Sequence, residues 1–388
     1  MPKLLYITTI PVTISSFFVP IARHFQAKGW QVDAMANGIS TEPKCTDTFD
    51  KVWEVDLSRN PLNPTNVLSA PRQIRQILQQ QQYDIVNVST PVAAFVARHA
   101  LKDFSRQGKV KLIYTAQGFH FYRGGSLIKN SIYRILEATA APWTDRLVVV
   151  NREDEAAAKQ MLAPEKVRYI PGTGLNFDRF NPERIDAADV ARVRHELGLA
   201  PEHSLFLSAA EFIPRKRHRD LIQAFAKLNR PNAHLALAGD GRLFEQMQQL
   251  AKDLGIQDRV HFLGFRRDIQ ILTRASVATL LASEQEGLPN CVMESIALEV
   301  PVIGTDIRGT RDLLGNGKGL LCKVGDVAGL AQAMAWILDN LTEAQMMGKQ
   351  GREEMKAYEL QYILRQYEAL YAEVLNELQP NGIFSLQG

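Results

Sequence analysis

The stretch SEQEGLPNCVMESIALEVPVIGTDIRGTRD, residues 283–312, decides how the rest of the chain is read. Just before it, the apolar run 277–282 predicts a buried strand, with Glu286 and Gly287 beyond its carboxyl end. Leu288 follows, and Pro289 suits the first position of a helix, where no backbone N–H is needed. Val292, Ile296 and Ala297 then recur at helical spacing. The first N–H groups of such a helix, on Asn290, Cys291 and Val292, lack intrahelical partners and lie at the positive end of its dipole, which suits a phosphate. Glu294 would lie roughly 7.5 Å along the axis at about 1.5 Å per residue, placed to accept hydrogen bonds from the hydroxyls of a ribose. Glu286 would face the other end of a bound diphosphate. Two carboxylates bracketing a phosphate site are what a nucleotide-sugar needs, one for the ribose and one for the transferred sugar.

Outward from this stretch the chain alternates apolar runs with amphipathic ones, an α/β pattern that argues for parallel sheets with helices on both faces. In the first half the strands are expected at 4–10, 32–36, 52–57, 85–88, 112–115, 147–150 and 167–170. After the first of them comes Pro11-Val12-Thr13-Ile14-Ser15-Ser16, then apolar residues at helical spacing. Ser15 or Ser16 can cap that helix, and contact of Thr13, Ser15 and Ser16 with an acceptor or a phosphate is the other reading. The fifth strand runs into Thr115-Ala116-Gln117-Gly118-Phe119-His120-Phe121 at its carboxyl edge, where open α/β sheets bind ligands. His120 reads equally as a reacting-centre residue or as a packed one between two phenylalanines. The next segment, from Tyr122 and Arg123 to Arg134, mixes basic and aromatic residues; it suits a lipid diphosphate at a membrane surface, or is an ordinary solvated helix face.

In the second half, Arg215 and Lys216 form a cationic loop beyond a strand, which suits a diphosphate. Gly239-Asp240-Gly241 is a strand-to-glycine turn. Asp268 is placed to cap the helix that follows the segment 260–268. The polar passage 181–189 reads as a linker.

The length of 388 residues suggests two domains. The formal charge of +3 is uneven: residues 1–185 hold 23 Lys and Arg against 16 Asp and Glu, whereas the remainder holds 22 against 26. The basic half is the candidate for an anionic membrane surface. Three scattered cysteines fit a reducing cytoplasm, and no leader or membrane span is expected. The chain is therefore read as cytoplasmic, with its basic half available to the inner face of the plasma membrane. With neither a D-x-D motif nor a histidine cluster, no metal site or cofactor is expected, and no nucleic-acid partner.

Glu286 and Glu294, with EGLP at 286–289 and the following RGTRDLL, resemble the E-x7-E signature of the family 4 retaining glycosyltransferases of the GT-B fold. Residues 115–121 resemble the T-A-H-G-F-H-F element of those that build capsules, exopolysaccharides and protein-linked glycans, with Gln117 in place of the first histidine. The likeness covers about residues 3–378. It implies two Rossmann-like domains facing each other across a cleft. The acceptor domain would be 1–183 with a crossover helix near 358–380, the nucleotide-sugar domain 184–357, and 381–388 a flexible tail.

It further implies a UDP-sugar donor held by Arg215, Gly241, Arg266, Gly287, Leu288, Pro289, Asn290, Cys291 and Glu294. Glu286, Lys216, Gln117 and His120 would stand at the reacting centre, with Thr13, Ser15, Ser16 and Arg123 on the acceptor side. The expected reaction is transfer of a hexose or N-acetylhexosamine, with retention and without metal, to a lipid-linked or oligosaccharide acceptor. Glutamine cannot become a cation or exchange a proton near neutral pH. Gln117 is accordingly read as a natural variant, an engineered trap or a mark of reduced activity. The alternatives are a UDP-sugar epimerase and a binding subunit without turnover.

Overall fold

A computed structural model of the chain describes residues 1–378, so the expected tail at 381–388 lies outside the described residues. The chain divides into two compact units, one of residues 1–174 with the chain from 361 onward, the other of residues 175–360.

The first unit is built on seven parallel strands: β1 (Lys3–Ile7), β2 (Gln31–Ala36), β3 (Val52–Glu54), β4 (Ile85–Val88), β5 (Lys111–Ala116), β6 (Arg146–Val149) and β7 (Val167–Tyr169). Their order is β3-β2-β1-β4-β5-β6-β7. Leu4, Leu5, Tyr6 and Ile7 are all fully buried, as a strand covered by helices on both faces requires. All seven expected strands are present, but β1 stops at Ile7. The Thr8 hydroxyl donates to the Ile10 carbonyl at 2.8 Å, and a helix already begins at Pro11. Ser15 and Ser16 therefore lie inside the helix Pro11–Phe17 rather than capping it: Ile10 holds the cap position and Pro11 the first turn.

The last helix, Leu360–Leu378, belongs to this unit. The hydroxyls of Tyr371 and Tyr6 lie 3.1 Å apart, the Asn87 amide donates to Tyr371 at 2.9 Å, and Glu373 receives Arg146 at 2.6 Å and Arg168 at 2.7 Å.

The second unit carries six parallel strands: β8 (Ser204–Ala209), β9 (Ala233–Ala238), β10 (Val260–Gly264), β11 (Ala278–Leu281), β12 (Val302–Thr305) and β13 (Leu320–Cys322). Their order is β10-β9-β8-β11-β12-β13. The unit begins at Leu175, ahead of the expected boundary at 183–184, because Leu175 and Phe180 are buried with Val292, Met293 and Met355. The Leu175 N–H also donates to the Tyr358 carbonyl at 2.8 Å. Each sheet reverses strand order once, between β1 and β4 in the first and between β8 and β11 in the second. At such points ligands bind beyond the carboxyl ends of the strands.

At the opposite, amino edge of the second sheet three histidines that lie apart in sequence come together. The His203 and His234 rings are 4.5 Å apart, and His234 Nδ1 lies 3.0 Å from His261 Nε2. Nothing in the sequence pattern signals this cluster. Among the described residues no group of His, Cys, Asp and Glu side chains is arranged to hold a metal ion, and no helix is long and apolar enough to cross a membrane.

Candidate nucleotide-sugar site

The carboxyl edge of β8 and β11 gathers most of the chemistry singled out in the second half of the sequence. Beyond β8 the chain makes a short turn at Pro214–Lys216, and beyond β11 it passes through Glu286. Lys216 Nζ stands 2.5 Å from Glu286 Oε1, with both side chains largely buried, and Arg215 Nη1 lies 3.8 Å from the other carboxylate oxygen. Two backbone devices hold the loops together. The Glu284 N–H donates to the Arg215 carbonyl at 2.9 Å, and the buried Arg308 guanidinium donates to the Glu286 carbonyl at 2.8 Å. Gly309 lies so close that a Cβ there would come within 2.0 Å of the Gly287 carbonyl oxygen. The RGT stretch thus fixes the path of EGLP by direct backbone contact, which explains why a glycine follows Arg308.

A buried ion pair contributes little net stability, because removing two charges from water offsets their attraction. The Lys216–Glu286 pair is better understood as a held cation. Its carboxylate keeps the ammonium at the edge of the loop and leaves two of its three donors for an incoming anion.

The helix Asn290–Ala297 starts immediately after, with Pro289 at its cap position. The Val292 and Met293 N–H groups both turn back to the Pro289 carbonyl, at 3.1 and 3.3 Å. Of the three expected donors, Val292 is therefore already engaged, and Asn290 and Cys291 are the ones the helix start presents. The Cys291 thiol is pushed up to about 12 by burial, so it stays protonated and packs as an apolar group. Leu288 likewise packs against the cluster that contains Val292 and Leu313.

Glu294 is different. Burial raises its carboxyl to about 7, with Arg179 only partly offsetting this, and it makes no hydrogen bond or ion pair among the described residues. A half-buried carboxyl with no partner among the described residues, about one turn above two donor N–H groups, suits hydroxyl donors.

Next to this, a cavity of about 470 Å³ is lined by Ala210, Glu211, Gly239, Gly241, Phe265 and Arg266. Gly241 is required there: its φ is 146°, and a Cβ would strike the Phe212 backbone at 2.7 Å. Arg266 does not have its charge available for stacking. It is held by Asp268 at 2.7 Å and Glu196 at 2.6 Å, which raise its pKa further. Asp268 in turn spends its carboxylate on Arg266 and makes no side-chain cap bond. The ring that stands free over the cavity is Phe265, 70% exposed, which sequence reasoning missed. A lone exposed phenylalanine beyond the strand was the available signal.

In the first unit the expected residues are more dispersed. Gln117 follows β5, with its amide nitrogen buried and unpartnered. Phe119 and Phe121 are buried and stacked at 4.7 Å, so the chain alternation turns His120 outward, where its ring lies 5.1 Å from that of Tyr133. His120 is therefore exposed rather than packed between the phenylalanines. Arg123 and Ser16 are exposed; Thr13 is half-buried, and Ser15 is buried with its hydroxyl 3.4 Å from the Val12 carbonyl.

Sequence reasoning missed Thr90, at the β1/β4 reversal. Its φ of 68° is rare for a β-branched residue and costs on the order of 1–3 kcal/mol. Its hydroxyl lies 2.7 Å from that of Thr9 and accepts the Thr9 N–H at 3.2 Å.

Two Rossmann-like units, each with its polar groups at the carboxyl edge of its strand-order reversal, make up the GT-B fold. Solved structures share this fold: UDP-bound HepE from Anabaena superposes with a TM-score of 0.79 at 19% identity, covering 96% of this chain and all of that one. Sucrose-phosphate synthase from Thermosynechococcus elongatus does so with a TM-score of 0.80 at 18% identity over 97% of this chain and all of that one. Residues 189–354 match the glycosyl transferases group 1, and residues 14–173 match the glycosyl transferase 4-like domain.

Among curated proteins, the putative glycosyltransferase EpsD of Bacillus subtilis is 32% identical over 90% of this chain and 91% of its own length. The UDP-Gal:α-D-GlcNAc-diphosphoundecaprenol α-1,3-galactosyltransferase of Escherichia coli is 26% identical over 68% of this chain and 69% of its own. The chain belongs to the family 4 glycosyltransferases and is a transferase of that family.

Proposed function

We propose that this enzyme transfers a hexose or N-acetylhexosamine from a UDP-sugar to a polyprenyl-diphosphate-linked glycan, with retention and without a divalent ion. It would work in the cytoplasm at the inner face of the membrane during assembly of a surface polysaccharide. The observation that carries the donor half is the spacing of one held cation and one unpartnered carboxyl around a helix start. Lys216 would meet the diphosphate, the Asn290 and Cys291 N–H groups would share its charge, and Glu294 would accept the ribose hydroxyls. Phe265 would lie against the base in the adjacent cavity. The acceptor half is supported by the Escherichia coli relative, a galactosyltransferase that acts on a diphosphoundecaprenol-linked sugar.

In the reaction an acceptor hydroxyl forms the new bond to the anomeric carbon, the bond from that carbon to the UDP oxygen breaks, and the hydroxyl proton passes to the departing phosphate. Lys216 and the helix start stabilise the charge that grows on that phosphate, which is where preorganised donors act most strongly. Glu286 orients the transferred sugar. A glutamine in place of the family histidine fits a scheme in which no side chain takes the proton.

The test is turnover of UDP-sugars with a lipid-linked acceptor in excess EDTA, with the product anomer read by proton NMR. The donor's configuration is expected in the product; inversion, or dependence on added metal, refutes the mechanism. Gln117→His should change the rate by less than tenfold. A silent native enzyme revived by histidine would instead show a binding subunit that has lost its chemistry.

A further inference from the structure

The first unit contains a second cavity, of about 460 Å³, that none of the site residues lines. Its floor is one face of the helix Pro91–Arg106, through Pro91, Val92, Phe95 and Val96. Its walls are the helix Ser69–Gln81, through Pro71, and the helix Leu127–Ala140, through Leu136.

Its direction follows from topology. In a parallel sheet every crossover helix starts at the carboxyl edge and runs back, so Ser69, Pro91 and Leu127 share one end of the groove. That end is the edge that bears Thr90 and follows Gln117. The groove therefore opens beside the candidate acceptor side and leads away from it.

The two ends differ in charge. At the far end Glu137 is paired with Arg98 at 2.8 Å and receives the Tyr114 hydroxyl at 3.0 Å, Arg75 donates to the Ala100 carbonyl at 2.8 Å, and the His99 ring lies against Trp143. At the near end Arg72 lines the mouth and Lys129 lies one turn before the lining residue Tyr133 on its helix; both are exposed and neither has a carboxylate partner among the described residues. Val67 and Leu68 line the open side and are each more than half exposed, and Ile128, Ile132 and Ile135, on a neighbouring face of the helix Leu127–Ala140, are exposed as well.

We infer that this groove holds the first isoprenoid units of a polyprenyl diphosphate, with the chain along Val92, Phe95 and Leu136 and the diphosphate at Arg72 and Lys129. The inference rests on the lipid-linked acceptor proposed above and adds a dedicated chain site to it. Charge complementarity selects this occupant: one anionic head, two cations at one end, and an apolar channel whose volume lies in the range of small-molecule sites, ~300–1,000 Å³.

Trp143 reports on the groove, since its ring lies 5.8 Å from Phe95 and 5.4 Å from His99. The probe is farnesyl diphosphate added to the native chain, with tryptophan emission recorded and Trp143→Phe as the control that assigns the signal. A saturable change is expected, at least tenfold weaker in Val92→Trp, which fills the channel, and in Arg72→Glu, which reverses the charge at its mouth. Thermal melts followed by circular dichroism and the UDP affinity should both be unchanged in the two variants, which shows that both units remain folded.

A native chain that binds UDP but gives no response to farnesyl diphosphate, or equal affinity in Val92→Trp, overturns the inference. So does an equal response to dodecyl phosphate, which would make the groove a general acyl site, or a response only to anionic vesicles, which would make the face a membrane-docking surface. Failure to bind UDP sinks the donor reading instead, and the farnesyl titration decides the groove regardless.

Discussion

The two strand-order reversals share one architecture and differ in what surrounds them. Beyond β8 and β11 lie a buried ion pair, an unpartnered carboxyl and a helix start; beyond β1 and β4 lie two threonine hydroxyls and a strained backbone, with an apolar groove alongside. On the proposals above, the first edge takes a compact, highly charged ligand and the second a large, mostly apolar one. A common fold thus leaves the chemistry to the loops, and substitutions at the two edges should fail in different ways.

The sharpest separation is expected at Lys216. Lys216→Ala removes the donor to the departing phosphate and should lower single-turnover rates by about 10²–10³-fold. It also leaves Glu286 buried without its cation, so thermal unfolding should show a loss of about 3 kcal/mol. Retained turnover would place the diphosphate elsewhere.

Glu294 should couple binding and stability in opposite directions. Its carboxyl binds a proton more tightly in the folded chain, so it favours the folded state below its unfolded value near 4.5, and this contribution is lost as pH rises through about 7. Glu294→Gln is therefore expected to stabilise the chain by on the order of 2–3 kcal/mol at pH 8 and not at pH 4.5, seen in paired melts. In calorimetry the same variant should bind UDP roughly a hundredfold more weakly, since two hydrogen bonds to a charged acceptor are lost. Lower stability at pH 8 would mean that an ionic partner had been removed.

Phe265→Ala should weaken UDP by about tenfold, at the low end of a stacking contribution of about 1–3 kcal/mol per base, and leave the affinity for inorganic diphosphate unchanged. The smallest effect is expected at the other edge. Thr90→Ala keeps the strained backbone and loses the hydroxyl, which should cost about 1 kcal/mol in urea unfolding, whereas Thr90→Gly relieves the strain and should be near neutral. Equal losses would show that φ at this position relaxes once the hydroxyl is gone.

Much of this was legible in the chain. A strand buried on both faces needs an apolar run, so strands such as β1, β4 and β5 could be located from their pattern, while the short edge strands β3 and β7, only partly buried, were placed by their spacing from the others. The proline and glutamates of 283–312 likewise mark their own positions. What could not be read depends on residues distant in sequence. Arg266 looked available for stacking because nothing nearby but Asp268 would neutralise it; Glu196, seventy residues earlier, completes its cage. The three histidines at the amino edge of the second sheet meet only because β8, β9 and β10 are neighbours. The strain at Thr90 is invisible in a sequence that shows only Ser-Thr-Pro, and the apolar groove needs three helices in place before it has walls.

The final helix imposes an order on synthesis. Residues 175–360 are contiguous and can close as soon as they leave the ribosome, whereas the first unit is incomplete until Tyr367, Tyr371 and Glu373 arrive. Until then the tyrosine on β1 and the asparagine on β4 have no cover. The half of the enzyme translated first is thus the half finished last. Its apolar face must wait, unshielded, through most of the translation time, so a nascent chain stalled or truncated before residue 367 would leave a sound nucleotide-binding unit tethered to an aggregation-prone one.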